Sequence, residues 1–152
     1  MIDYQDHALL LNQSYRHWLG EYLVEQQDPG EVLSALNTAD FAVVSHGLEA
    51  DPIFNYGNLQ ALSCFGYEHL KFLQLPSRST MPDEAVNQSQ QPLLSQLEEQ
   101  GFATIAQDTR VTSGGRKFVV DRGVVWKLID NLGRIHGHAT RIDEWHFADE
   151  AV

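Results

Sequence analysis

A chain of 152 residues, 43% hydrophobic and 20% charged, is long enough for one domain with a real core and has the balance of an ordinary soluble globular protein. Its net charge of −11, with only Arg16 and Lys71 against ten acidic residues through Pro76, leaves no basic stripe for phosphate contacts, which argues against nucleic acid or an anionic membrane surface as partners. No apolar run reaches the roughly 18 residues of a membrane span, two aspartates near the start do not suit a secretory signal, and a single cysteine, Cys64, precludes an internal disulfide, so the expected compartment is the cytoplasm.

Residues 4–27 carry Tyr4, Ala8, Leu11, Tyr15, Trp18, Leu19 and Tyr22 at helical spacing, which predicts a first helix ended by Asp28-Pro29-Gly30. A short second helix is predicted over residues 31–37. "DFAVVSHGL" and "DPIFNYGN" then read as two short strands joined by Glu49-Ala50-Asp51-Pro52. Residues 58–65 return to helical spacing through Leu59, Leu62 and Phe65, and residues 68–75 suit another turn or two. A polar, proline-containing connector covers 76–92, and Leu93, Leu94 and Leu97 predict a helix ending at Gly101.

Three strands follow: "FATIAQDTRVT", "KFVVDRGVVWKLID" and "RIHGHATRID". Their turns, Ser113-Gly114-Gly115 and Asn131-Leu132-Gly133, are hairpin signals. Helices and strands segregated in this way indicate an α+β fold with one antiparallel sheet of five strands, short helices over one face and an N-terminal helix. The expected organisation is an N-terminal helical segment for docking or dimerisation (1–38), the sheet domain (39–147) and a tail (148–152).

The order of two strands, a cluster of short helices and a three-strand meander resembles the PAS fold. In PAS domains the second strand runs into an asparagine that opens a helix with an FGY-like exit, and Asn58 and Phe65-Gly66-Tyr67 match those features. Asparagine caps a helix, and glycine permits the sharp turn after it. "VSHGLEADPIFNYGN", "LPSR", "GRKFVVDRGVVWKLID" and "GRIHGHA" resemble, over about residues 15–140, the bacterial and cyanobacterial branch of the PAS-like MEKHLA domain family. Plant members carry this domain at the C-terminus of homeodomain-leucine-zipper transcription factors. This chain shows neither a homeodomain nor a zipper, so DNA binding does not carry over. The resemblance implies a sensory or regulatory role without catalytic chemistry.

Flavin-binding PAS light sensors use a reactive cysteine after the FGY exit, where "EHLKFLQLPSRSTMP" has none, and Cys64 reads as a small buried residue. Haem-binding PAS sensors supply a histidine from the helix before the third strand, and "QQPLLSQLEEQG" has none. Neither cofactor is expected.

Candidate ligand-binding residues are Arg122, His46, Tyr56, Trp126 and Asn55. In a regular strand Arg122 shares a face with Phe118, Val120, Val124, Trp126 and Leu128. An arginine there needs a partner, either a ligand carboxylate held bidentately or an internal acid; a β-bulge at Gly123 would instead turn it to solvent. Trp126, Tyr56 and Phe54 suit a pocket wall or a core. Asn55 and Tyr56 alternate in a regular strand, so at most one of them faces the pocket. His46 stands on the first strand, where it reaches the pocket or bonds its own connector.

His136 and His138, two apart, share a face in a regular strand, but no CxxC or HExxH pattern accompanies them, so no metal is expected. The stripe of Leu11, Tyr15, Trp18 and Tyr22 suits docking on the domain or pairing with a second copy, and a homodimer is expected. Three functions are thus expected in descending order: a sensory domain for a small molecule or an unknown protein partner, an interaction module with a filled core, and a small-molecule enzyme using His46.

Overall fold

The computed structural model describes residues 2–82 and 91–150. The expected connector at 76–92 and tail at 148–152 therefore lie partly outside the described residues. Helix α1 spans Tyr4–Leu19. Asp3 caps it by accepting from the backbone N–H groups of Gln5 and Asp6, and Gly20 ends it in the left-handed region, its N–H bonded to the Arg16 carbonyl. The first helix is thus shorter than its apolar spacing predicts. The stretch that follows is tied back to α1 by buried Asn12, whose Oδ1 accepts from Leu23 and Val24 and whose Nδ2 donates to the Val24 carbonyl. Asp28-Pro29 starts the next helix instead of ending the first: Asp28 caps α2, Pro29–Asn37, with proline in the first turn, where its missing N–H costs nothing.

Strands β1 (Ala42–His46) and β2 (Phe54–Gly57) precede helices α3 (Leu59–Phe65) and α4 (His69–Phe72) and a 3₁₀ turn at Ser77–Thr80. Helix α5 (Gln91–Gln100) leads to β3 (Phe102–Ile105), β4 (Asp108–Val111), β5 (Lys117–Ile129) and β6 (Ile135–Phe147), and a 3₁₀ turn covers Ala148–Glu150. The sheet is antiparallel in the order β2-β1-β6-β5-β3, with β4 also on β5. The α+β class and the antiparallel sheet are as expected. The predicted strand over residues 102–112 is broken at Gln107, the one non-glycine among the described residues with positive φ (59°), into two pieces that pair with successive parts of β5. The described sheet therefore has six strands and five positions across.

Both faces of the sheet are covered. On one, α1 and α2 bury Leu11, Tyr15, Val32 and Leu36 against Val43, Tyr56, Trp126, Leu128 and Ala139. On the other, α3, α4 and α5 bury Phe65, Phe72 and Leu97 against Val44, Phe118, Val120, Val125 and Ile142. Each fully buried large apolar side chain stabilises the fold by about 1.5–3 kcal/mol relative to exposure. Helix α1 is also pinned by polar ties: Trp18 Nε1 donates to the Lys127 carbonyl at 2.8 Å, Ser14 Oγ donates to the Ile129 carbonyl and accepts from its N–H, and Tyr4 Oη donates to the Asn55 carbonyl. Leu11, Tyr15 and Trp18, the stripe that also suited a dimer, pack within the chain, while Tyr22 lies beyond the helix end and is exposed.

Asn58 joins the layers. Its Oδ1 accepts from the N–H groups of Val43 and Ala61, both at 3.0 Å, and its Nδ2 donates to the carbonyls of Leu36 and Phe41 at 2.9 and 2.8 Å. One buried amide thus caps α3 and holds α2 and β1 beside it. Helix α3 ends at Gly66, whose φ of 77° suits glycine, as the FGY exit predicted.

Bulges decide which residues reach which layer. Between β1 and β2, Ser45 pairs with Tyr56 but His46 pairs with Phe54, so Asn55 is an extra residue. Between β5 and β6, Val120 faces Trp145, Arg122 faces Glu144 and Gly123 faces Ile142, leaving Asp121 and Asp143 extra. A Cβ on Gly123 would stand 2.5 Å from the Arg141 carbonyl oxygen, so the close approach of β6 requires glycine there. Near the hairpin, Leu128 faces Gly137 and Ile129 faces Ile135, which makes His136 a third extra residue.

Candidate functional site

A cavity of about 290 Å³ opens between the sheet and the layer of α3, α5 and the Ser77–Thr80 turn. Its walls are mainly apolar: Val44 and Phe54 from β1 and β2, Phe65 from α3, Leu93, Leu94 and Leu97 from α5, and Ile105, Val120, Val125 and Ile142 from the later strands. The polar lining includes His46, His138, Thr140, Asp108 and Arg110.

His46 and His138 are directly opposed on β1 and β6, with ring centroids 5.5 Å apart and planes at 80°. Burial lowers the pKa of both. His138 falls to about 4, through burial first, then His46 and Lys127, while Glu98 opposes the shift. For His46 the contact with the Gly47 carbonyl and the charge of Glu49 oppose burial, and Arg110 adds to it. Both rings are therefore neutral at neutral pH. His46 Nδ1 lies 3.1 Å from the Gly47 carbonyl oxygen. A carbonyl only accepts, so Nδ1 carries the proton and Nε2 holds a free lone pair.

Asp108 and Arg110, two apart on β4, point the same way. Arg110 Nε and one terminal guanidinium nitrogen both contact Asp108 Oδ2 at 2.8 Å, and the two side chains are only 17% and 16% exposed. The pair places a cation and an anion in the cavity wall with no net charge.

The MEKHLA domain profile matches residues 5–147. The chain belongs to the MEKHLA domain family. Similar curated proteins include the homeobox-leucine zipper protein HOX9 of Oryza sativa subsp. indica and of subsp. japonica, each 27% identical over 137 residues. That alignment covers 89% of this chain and only 16% of either rice protein. Among solved structures, the PAS domain of a Colwellia psychrerythraea protein superposes with a TM-score of 0.63 at 14% identity, covering 76% of this chain and 94% of that one. An RNA-binding light-oxygen-voltage receptor gives 0.63 at 16% identity over 76% and 32% of the two chains. The PAS domain of a LuxR-family transcriptional regulator from Burkholderia thailandensis, in complex with ethanol, gives 0.57 at 12% identity over 76% and 96%. At these identities the likeness establishes a PAS-like fold for this MEKHLA domain.

Of the five candidate residues, His46 lines the cavity. Arg122 does not. The β5 bulge turns it to the surface, where it meets Glu144 at 3.2 Å with both side chains more than 60% exposed. Past the same bulge the strand changes parity, so Val125 faces the cavity while Trp126 lies under α1, edge-on to Tyr15 at 4.9 Å. Tyr56 is also under the N-terminal helices, donating to Asn37 Oδ1. Asn55, the extra residue of the β1–β2 bulge, joins it there: Ser45 Oγ donates to Asn55 Oδ1, and His7 Nε2 lies 2.9 Å from Ser45 Oγ. Since the Ser45 proton goes to Asn55, His7 is the donor to Ser45.

The expectation that His136 and His138 share a face is overturned by the bulge at His136. His138 lines the cavity, whereas His136 Nε2 meets Asp130 Oδ2 at 2.7 Å in the β5–β6 turn. Among the described residues no cluster of three His, Cys, Asp or Glu side chains is arranged to hold a metal. Sequence reasoning missed Arg110 and Asp108, although an Asp-x-Arg pair in "DTRVT" was the available signal for two partnered charges on one strand face.

Proposed function

We propose that this MEKHLA domain is a cytoplasmic sensory or regulatory unit that binds a small apolar or weakly acidic molecule and has no catalytic chemistry of its own. One observation carries the reading: an apolar cavity of about 290 Å³ whose wall presents two facing neutral imidazoles and a charge-balanced Asp108–Arg110 pair. A filled-core interaction module calls for no such space. An enzyme using His46 with a pocket carboxylate is disfavoured, since Asp108, the carboxylate of the lining, is already engaged by Arg110. A cysteine–flavin adduct is disfavoured too, because burial pushes the Cys64 thiol up to about 12 and only the thiolate is reactive.

Occupancy would be relayed through β1, where His46 faces the cavity and Ser45 bonds to His7 of α1. A ligand that favours one packing of α1 over another alters the surface that α1 and α2 offer to a second copy or to another protein. Native and denaturing mass spectrometry of freshly purified protein, with an absorbance scan, tests this directly. A co-purifying small molecule supports the reading. An apo mass, together with ligand titrations that leave α1 hydrogen exchange and oligomeric state unchanged, counts against it.

A further inference from the structure

We infer that the cavity takes an uncharged, compact, mainly apolar molecule that donates a hydrogen bond from a hydroxyl or N–H group to His46 Nε2. The inference rests on the cavity being a ligand site and names the class of ligand.

The His46 tautomer is fixed by its own backbone neighbour: Nδ1–H is held by the Gly47 carbonyl, so the nitrogen left for the cavity is an acceptor. No hydrogen bond within the described residues uses it. The His138 ring, opposite, makes no hydrogen bond within the described residues either, and as a neutral imidazole it adds one donor and one acceptor. A ligand donor is therefore matched by a waiting lone pair.

Charge decides against an anion. Arg110 is the cationic group lining the cavity, and it is already engaged with Asp108 through Oδ2. A carboxylate ligand would share that guanidinium with Asp108, placing two anions beside one cation in a partly desolvated wall. A cationic ligand would meet Arg110 itself. A neutral molecule adds no unbalanced charge, and a cavity of about 290 Å³ lies at the small end of ligand sites, fit for a single substituted ring or a branched alcohol.

The test is a calorimetric and NMR titration of the purified chain at neutral pH with three probes of matched shape: 4-ethylphenol, ethylbenzene and 4-ethylbenzoate. The expected result is that 4-ethylphenol binds about tenfold or more tightly than either of the others and shifts the His46 imidazole resonances. His46→Leu should bring the phenol down to the hydrocarbon's affinity. The wild-type series stands by itself if that variant fails to fold. Equal binding of ethylbenzene, or tighter binding of 4-ethylbenzoate, overturns the donor assignment while leaving the cavity as a ligand site. Silence from all three probes overturns the inference and, with an apo mass in the preceding experiment, the ligand-site reading as well.

Discussion

Ser45 and His46 are consecutive on β1 yet belong to different layers: Ser45 Oγ stands 2.9 Å from His7 Nε2 beneath α1, and the His46 ring faces the cavity on the other side of the sheet. One peptide unit separates the helical layer from the candidate ligand.

The buried histidines set an acid limit on stability. Burial lowers His7 and His138 each to about 4, from about 6.5 in the unfolded chain. His7 sits among Tyr4, Ser45 and Tyr56, with His136 adding to its shift. Between those values the unfolded state binds more protons, so stability is full above about pH 6.5, declines as pH falls, and levels off near pH 4. Urea midpoints across this window should follow that course, and His7→Gln and His138→Gln should each flatten it. A midpoint constant from pH 7 to pH 4 would contradict the assignment. The carboxylates of Asp121, Asp130 and Asp149 have lowered values, so their contribution is present above about 3.8 and is lost only below it.

Asn58→Ala removes four hydrogen bonds and leaves buried backbone groups from two layers without partners. The expected loss is about 3 kcal/mol by urea unfolding. Asn58→Asp turns two donors into acceptors facing the Leu36 and Phe41 carbonyls, and burial raises the new carboxyl's pKa. That variant should be less stable than wild type at neutral pH and recover part of the difference as pH falls.

Arg122→Ala should change the melting stability by less than about 0.5 kcal/mol, because its ion pair with Glu144 is solvent-exposed. Ligand affinity should be unchanged. A large loss of either would return Arg122 to the site.

Ala139 and Thr140 offer a matched pair of enlargements. Ala139 is 1% exposed under the N-terminal helices, while Thr140 lines the cavity. Ala139→Leu should overpack and cost about 1–3 kcal/mol. Thr140→Leu should cost less, since space stands beside it, and should weaken binding of any cavity ligand. Thermal melts of the two variants check the contrast, and equal losses would mean that the cavity is closed.

Local signals carried most of the fold. The hairpin glycines, the Asn58 cap, the Gly66 exit and the apolar stripe of α1 each act over a few residues, and each was visible in the sequence. The site was legible only where the strand remained regular, as at His46. Strict alternation assigns faces to Arg122, Trp126, Asn55, Tyr56 and the pair His136 and His138, and each lies at or beyond a bulge. A bulge is set by how two strands approach, here by the Arg141 carbonyl against Gly123, so its position is a property of the pair and not of either stretch alone. Arg110 is hidden for a related reason: the break at Gln107, opposite the β5 bulge and bonded to Asp121, carries no local signal that interrupts the strand pattern.

The bulge at Gly123 also bears on how such a domain diverges. Its N-terminal half gives Phe118 and Val120 to the cavity layer, and its C-terminal half gives Trp126 and Leu128 to the helices. Straightening the strand here without changing its length would turn over every following side chain up to the hairpin, driving the Trp126 indole toward the cavity and Val125 beneath α1, whereas deleting the extra residue Asp121 would leave them on their present faces. In this architecture a relative one residue shorter at the bulge keeps the same cavity lining, while a relative of equal length with a regular strand exchanges it, so relatives should be aligned with a permitted gap at this point before their cavities are compared.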